Sequence, residues 1–290
     1  MIKSVFVPLQ GYPRDKTALD AAFEVAALFD AHVECLHVRP DPRLVVTATT
    51  AGMETGLGVG VFPETLFQTL LEADKRRASA ARNAYDTACK RRKIPADSDR
   101  TGFSAHYGEQ EGDVAKDVTH HARFSDLVVL AREPIESDSE WDATGDVILG
   151  CGRPILLAPL KGTLSPASPA AIAWKDTAEA ARALTGAMPL LAKAGAAVVL
   201  CAPEHHKDKE LASAESVAAL LRRHDIDAHA ELVDVGTKTA PEAVMDRAVA
   251  RKAGLLVMGA YGRSRLREFV FGGFTRHALG ENRLPILLAH

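Results

Sequence analysis

Two short apolar motifs each occur twice in this chain of 290 residues. Residues 126–131 (DLVVLA) resemble residues 254–259 (GLLVMG), and residues 153–158 (RPILLA) resemble residues 284–289 (LPILLA). The copies are separated by about 130 residues, whereas the repeats of solenoid proteins are much shorter. The repeat therefore indicates two duplicated domains.

The length of the chain agrees with this division, because 290 residues suit two domains of ordinary size. Residues 161–169 (KGTLSPASP) have the composition of a linker. The sequence therefore predicts a first domain at residues 1–160 and a second domain at residues 169–290.

Each half alternates short apolar runs with helical patterns. Apolar runs without polar alternation are typical of parallel strands that are covered on both faces. The alternation of strands and helices predicts an α/β fold with two tandem flavodoxin-like domains, each a five-stranded parallel sheet flanked by helices. We also predict that strands 154–158 and 285–289 pair and join the domains into an intramolecular pseudo-dimer, because exposed edges of this kind are usually covered.

Composition excludes several classes of protein. The apolar fraction of 47% and the charged fraction of 25% are those of a globular protein, and the net charge of −3 gives no reason to expect a nucleic-acid or anionic-membrane partner. No apolar run approaches a membrane span, and no signal peptide is visible. The four cysteines show no CxxC spacing, so we expect buried free thiols and a cytoplasmic location.

Glycines cluster after the apolar run at 254–259. Gly259 and Gly262 follow the strand, and Gly272 and Gly273 precede a segment that looks helical. Glycine lets backbone N–H groups approach an anion, and a helix N-terminus favours a phosphate. Such a loop lies at the carboxyl ends of the strands, where open α/β sheets bind ligands. The alternative is that the glycines only form turns.

The spacing Gly259-x2-Gly262-x9-Gly272, followed by a small residue and a helix, resembles the nucleotide loop of the universal stress proteins. ATP-binding members carry Gly-x2-Gly-x9-Gly-Ser/Thr, whereas this chain has Gly273 at the Ser/Thr position and Thr275 two residues later. The resemblance covers the second half well and the first half loosely. It implies the adenine nucleotide alpha hydrolase-like variety of the flavodoxin-like fold, with ATP or AMP as the ligand.

The resemblance also implies which residues contact the nucleotide. In the family, adenine and ribose are contacted from the ends of the first two strands, but Lys175 stands where the acidic residue is usual. Trp174 could stack on adenine or pack under the following helix. The implied contacts are Trp174, Asp176, Met258, Gly259, Gly262, Gly272, Gly273, Phe274 and Thr275.

The corresponding segment of the first half is different. Residues 132–141 (REPIESDSEW) contain no glycine pair and carry four acidic residues, which would repel a triphosphate. The sequence therefore predicts that the first domain has lost the phosphate site, and that one nucleotide binds per chain.

Neither a catalytic nor a metal site is predicted. No Ser/His/Asp or Cys/His arrangement can be assembled, and nothing nominates the base or in-line water that even slow ATP hydrolysis requires. The adjacent histidines at 120–121 diverge on a helix, and those at 205–206 supply at most part of a zinc site.

The leading hypothesis is a cytoplasmic stress-response protein whose second domain binds an adenine nucleotide as a sensor or regulator. The competing hypothesis is a nucleotide-free interaction scaffold in which the glycines only shape a turn. Residues 44–63, rich in Thr, Gly and Val, are either a structural insertion or a lid over a pocket. Homodimer formation is left open.

Overall fold

The computed structural model describes residues 1–41, 64–94, 102–132, 143–159, 164–165, 167–203, 206–260, 277, 280 and 283–290. Ten strands form one sheet: β1 (Ser4–Leu9), β2 (His32–Pro40), β3 (Ser104–Gly112), β4 (Leu127–Leu130), β5 (Ile155–Leu157), β6 (Ala170–Ala173), β7 (Ala196–Cys201), β8 (Asp227–Leu232), β9 (Leu255–Gly259) and β10 (Ile286–Ala289). The helices with described bounds are α1 (Asp15–Phe29), α2 (Glu64–Arg92), α3 (Val114–Ala122), α4 (Ala143–Gly150), α5 (Ala178–Ala194), α6 (Lys207–Arg222) and α7 (Ala240–Ala250).

The strand order is β3-β2-β1-β4-β5-β10-β9-β6-β7-β8. Each half contributes five neighbouring strands, which are parallel to one another within that half. The predicted α/β class with two five-stranded parallel units is therefore confirmed. Within each half the order 3-2-1-4-5 reverses direction once, and doubly wound sheets bind ligands at that switch point. The switch points lie between β1 and β4 and between β6 and β9.

The two halves meet through β5 and β10, which pair antiparallel with Leu156 opposite Leu287. The predicted pairing of these terminal strands is confirmed, and their side chains are buried. Because the junction is antiparallel, the strands of the two halves run in opposite directions. The carboxyl ends of the first-half strands therefore lie on the same side of the sheet as the amino ends of the second-half strands. The two switch points are on opposite sides and far from each other.

The helices cover both faces of the sheet. Buried side chains of α1, α2, α5 and α6 form one apolar cluster with alternate strand residues, and α3, α4 and α7 form the other with the remaining strand residues. Central strands buried on both faces explain why the sequence shows continuous apolar runs rather than alternation. None of the described helices combines the length and apolar character that crossing a membrane requires.

The third strand of the first half differs from its prediction. The sequence of residues 101–107 (TGFSAHY) predicts a strand there, whereas β3 starts at Ser104 and continues to Gly112. The second part of β3, residues 108–112 (GEQEG), is polar, and such a pattern is typical of a loop. β3 is the outermost strand, and β2 is its only neighbour among the described strands. Alternate side chains of β3 can therefore remain exposed. The predicted insertion at 44–63 and positions 161–163 and 166 of the predicted linker lie outside the described residues.

Candidate functional site

The crevice of the second half forms where β6 and β9 end side by side. Ala173 pairs with Met258, so Trp174 and Gly259 follow at neighbouring strand ends although they are far apart in sequence. The next turn of the chain enters α5, whose N-cap is Thr177: its hydroxyl oxygen accepts a hydrogen bond from the N–H of Ala180 at 3.2 Å.

Four of the nine predicted nucleotide contacts lie in the described part of the chain, namely Trp174, Asp176, Met258 and Gly259. The structure brings these four to the same strand ends. The other predicted contacts lie outside the described residues; they are Gly262, Gly272, Gly273, Phe274 and Thr275.

Gly259 lies directly against the first turn of α5. A Cβ atom at this position would stand 2.6 Å from the Ala180 nitrogen and 2.8 Å from the Glu179 carbonyl carbon. Real Cβ atoms do not approach backbone atoms so closely. Packing between the strand and the helix therefore requires glycine here, whether or not a ligand binds.

We expect Gly259→Ala to lower the free energy of unfolding by about 1–3 kcal/mol, because an added methyl group overpacks a rigid contact with backbone atoms. Urea unfolding measures the change. Gly108→Ala is the matched control: the nearest side-chain atom to its added Cβ is 3.4 Å away, at the end of the flexible Leu36 side chain. Equal stabilities of the two variants would contradict the packing role of Gly259.

Trp174 packs under helix α6. Its indole N–H donates a hydrogen bond to Ser213 Oγ at 3.0 Å, and its backbone N–H donates to the Leu200 carbonyl at 2.9 Å. The ring is half-buried against the apolar core. The ring is thus bonded to α6 and not to α5, the helix that follows Trp174 in the chain, and stacking on adenine stays a prediction.

Met258 and Asp176 have different surroundings. Met258 is 3% exposed, and its side chain belongs to the core cluster that contains residues of α7. Only its backbone can therefore face a ligand in the crevice. Asp176 is exposed at the end of β6, beside Lys175, where its carboxylate could accept a hydrogen bond from a ligand hydroxyl.

Glu179 is a residue of this crevice that the sequence interpretation missed. It is buried in the first turn of α5, and one oxygen lies 3.8 Å from the Arg182 guanidinium. A hydrogen bond from its own backbone N–H lowers the pKa of Glu179; burial opposes this, while the Thr177 hydroxyl and Arg182 add to the lowering. The ionised carboxylate offsets part of the positive end of the helix dipole. A glutamate in a first helical turn is common, so the sequence alone carried little signal.

The loop after β1 in the first half is organised by Asp15. Its carboxylate accepts hydrogen bonds from the backbone N–H groups of Gln10 at 3.0 Å and Gly11 at 2.7 Å. Burial raises the pKa of Asp15, while these hydrogen bonds oppose the rise. The backbone donors at the end of β1 thus bind a carboxylate of the protein itself.

Helix α2 lies across the same loop. Gly11 has a φ of +77°, and a Cβ atom there would overlap the carbonyl oxygen of Arg77 in α2. The counterpart helix in the second half is α6. Since α2 has 29 residues and α6 has 16, α2 is about 20 Å longer. The contact with the β1–α1 loop is made by Arg77, near the middle of α2.

Arg132, directly after β4, directs its guanidinium towards the start of β10 and away from β1. It follows β4 at the position that matches Ala260 in the repeat, is 2% exposed, and donates a hydrogen bond to the Leu284 carbonyl at 2.6 Å. It therefore also links the two halves. The acidic residues at 133–140, to which the sequence attributed the loss of this site, lie outside the described residues, so that reason stays a prediction. The described contacts of Asp15 and α2 at the end of β1 add a steric reason.

No protein-family model and no curated protein matches this sequence. Among solved structures, the chain is similar to a universal stress protein from Archaeoglobus fulgidus, with 13% identity, 99% of this chain and 95% of that chain covered, and a TM-score of 0.66. A putative universal stress protein from Pseudomonas aeruginosa covers 99% of this chain and 93% of its own at 14% identity, with a TM-score of 0.55.

A third similar structure is a functionally unknown protein from Pseudomonas aeruginosa, at 15% identity and a TM-score of 0.54, with 99% of this chain and 92% of that chain covered. At these identities the likeness shows the fold alone. The chain has the universal stress protein fold over its whole length. The match in length to these structures agrees with the resemblance that the glycine motif indicated.

Proposed function

We propose that this chain is a cytoplasmic stress-response protein that binds one adenine nucleotide, ATP or AMP, in its second half and acts as a sensor or regulator. The observation that carries the proposal is the difference between the two crevices. In the first half, Asp15 takes up the backbone N–H groups at the end of β1, and helix α2 packs on the same loop. The strand ends of the second half are instead followed by the glycine motif that resembles a nucleotide loop.

Further support comes from the position of the second crevice. It lies at a switch point of a doubly wound sheet and beside the N-terminus of α5, and both features favour a phosphorylated ligand. We also propose that residues 1–160 and 169–290 are separate domains. In this view the β5–β10 pairing joins them as an intramolecular pseudo-dimer.

The scaffold hypothesis is also supported by a specific observation. Gly259 is explained by its contact with α5, and the Trp174 ring is bonded to Ser213. The ionised Glu179 adds a negative charge beside the crevice, which disfavours a phosphate placed close to it. A chain of this kind could use the fold only to present surfaces to a partner.

Equilibrium dialysis with labelled ATP and labelled AMP separates the two functions. The nucleotide proposal predicts saturable retention that unlabelled adenine nucleotide displaces. Because phosphates are held mainly by backbone N–H groups in this proposal, a guanine nucleotide serves as the control for recognition of the base. Absence of saturable retention would favour the scaffold.

A further inference from the structure

A cluster of polar side chains lies on the outermost strand pair of the first half, away from both crevices. In the β2–β3 register, His32 pairs with Ser104 and Glu34 pairs with His106. Because residues two apart on a strand share a face, the four side chains lie on one face of the sheet. The side chains of His32, Glu34 and His106 are 24%, 36% and 43% exposed, so water and ions can reach them.

The hydrogen bonds of Ser104 define the tautomer of His32. Ser104 Oγ donates its proton to the Gly102 carbonyl at 3.0 Å. It therefore accepts a hydrogen bond from His32 Nδ1, which lies 2.8 Å away. A neutral imidazole carries one proton, so Nε2 of His32 has a lone pair. That lone pair is the group available to a cation.

His32 Nε2 faces a carboxylate oxygen. The distance from Nε2 to Glu34 Oε2 is 3.5 Å. Two acceptors this close repel each other unless a proton or a metal ion lies between them. Ligands at 2.0–2.2 Å from a tetrahedral zinc ion are about 3.4 Å apart, so the observed spacing fits two ligands of one ion.

His32 and Glu34 are each oriented by a hydrogen bond, His32 by Ser104 and Glu34 by His106. His106 Nδ1 lies 2.9 Å from Glu34 Oε1 and 3.1 Å from Oε2, and a proton on this nitrogen donates to the carboxylate. Metal-binding histidines and carboxylates are typically oriented by such outer partners.

We propose that the β2–β3 edge binds a divalent transition-metal ion of the zinc class between His32 Nε2 and Glu34 Oε2. Ser104 and His106 orient these two ligands, and water completes the coordination. Within the described ranges, no three His, Cys, Asp or Glu side chains already converge on one point. The site thus has two protein ligands and open positions, so it binds more weakly than a closed structural zinc site.

Calorimetric titration of the full chain with zinc chloride at pH 7.5 tests the proposal. We expect one site per chain that His32→Gln weakens at least 100-fold, because that change removes a ligand. Ser104→Ala should weaken it 10- to 100-fold, the usual effect of losing an outer partner. His120→Gln, at an exposed histidine of α3 outside the cluster, is the control and should leave zinc affinity unchanged. Circular dichroism checks that each variant is folded.

A second measurement distinguishes a metal from a proton. Zinc binding needs a neutral ring, so affinity should fall between pH 7.5 and pH 5.5, and zinc should shift the His32 Nε2 resonance in the nitrogen NMR spectrum. Zinc affinity that is equal in His32→Gln and the parent chain would overturn the proposal. So would the absence of binding at 1 mM zinc, or pH-dependent His32 resonances that zinc does not alter, since these indicate a protonated His32–Glu34 ion pair only.

Discussion

Gly11→Ala is expected to lower the free energy of unfolding by about 2–5 kcal/mol. Gly11 has a φ of +77°, which costs a residue with a Cβ atom about 1–2 kcal/mol. The added Cβ would also stand within 2.6 Å of Arg77 Cα and would overlap the Arg77 carbonyl oxygen, so overpacking adds about 1–3 kcal/mol. Urea unfolding of the parent chain and the variant measures the loss.

Gly195→Ala is the matched control for this experiment. Gly195 ends α5 with a φ of +68°, but nothing lies within 4 Å of the Cβ that alanine would add. It should therefore show only the backbone cost of about 1–2 kcal/mol. The difference between the two variants measures the contact between α2 and the β1–α1 loop. Equal losses would show that α2 does not press on this loop.

Gly272→Val is expected to weaken ATP binding by about two to four orders of magnitude while the fold survives. The expectation rests on the sequence motif, since Gly272 lies outside the described residues. A branched side chain would stand where a phosphate must approach the backbone. Loss of two charge-assisted hydrogen bonds, at about 1.5–3 kcal/mol each, accounts for the size of the effect. Calorimetry with ATP provides the measurement.

The control for Gly272→Val is Trp141→Ala in the corresponding segment of the first half, which should leave ATP affinity unchanged. Unfolding curves of both variants establish that the chains remain folded. ATP affinity in Gly272→Val equal to that of the parent chain would show that the glycine motif does not hold the phosphates.

Much of the fold could be predicted because it depends on local patterns. The apolar runs ending at Ala131 and Gly259 are continuous, which is what burial on both faces demands, and their repetition implied two equal units. The pairing of β5 with β10 followed from the need to cover two apolar edges. These inferences need no knowledge of distant contacts.

The details of the crevices could not be predicted, because they depend on contacts between distant residues. Arg132 reaches a carbonyl 152 positions away in sequence, and no local pattern indicates that bond. The Trp174 indole bonds to Ser213, 39 positions away on α6, which no local pattern indicates either. The close approach of α5 to Gly259 likewise depends on how the strand and the helix pack. The sequence alone therefore does not tell whether this glycine serves ligand binding or packing.

Amide hydrogen exchange with and without saturating ATP tests the central claim most directly, since it locates a ligand on the chain. A nucleotide bound only in the second half should slow exchange at residues 174–180 and 258–260. Exchange at residues 10–15 and 131–132 should not change, because Asp15 already accepts the N–H groups after β1 and α2 packs on that loop. Slowed exchange in the first-half crevice, or no slowing at residues 174–180 and 258–260, would contradict the account.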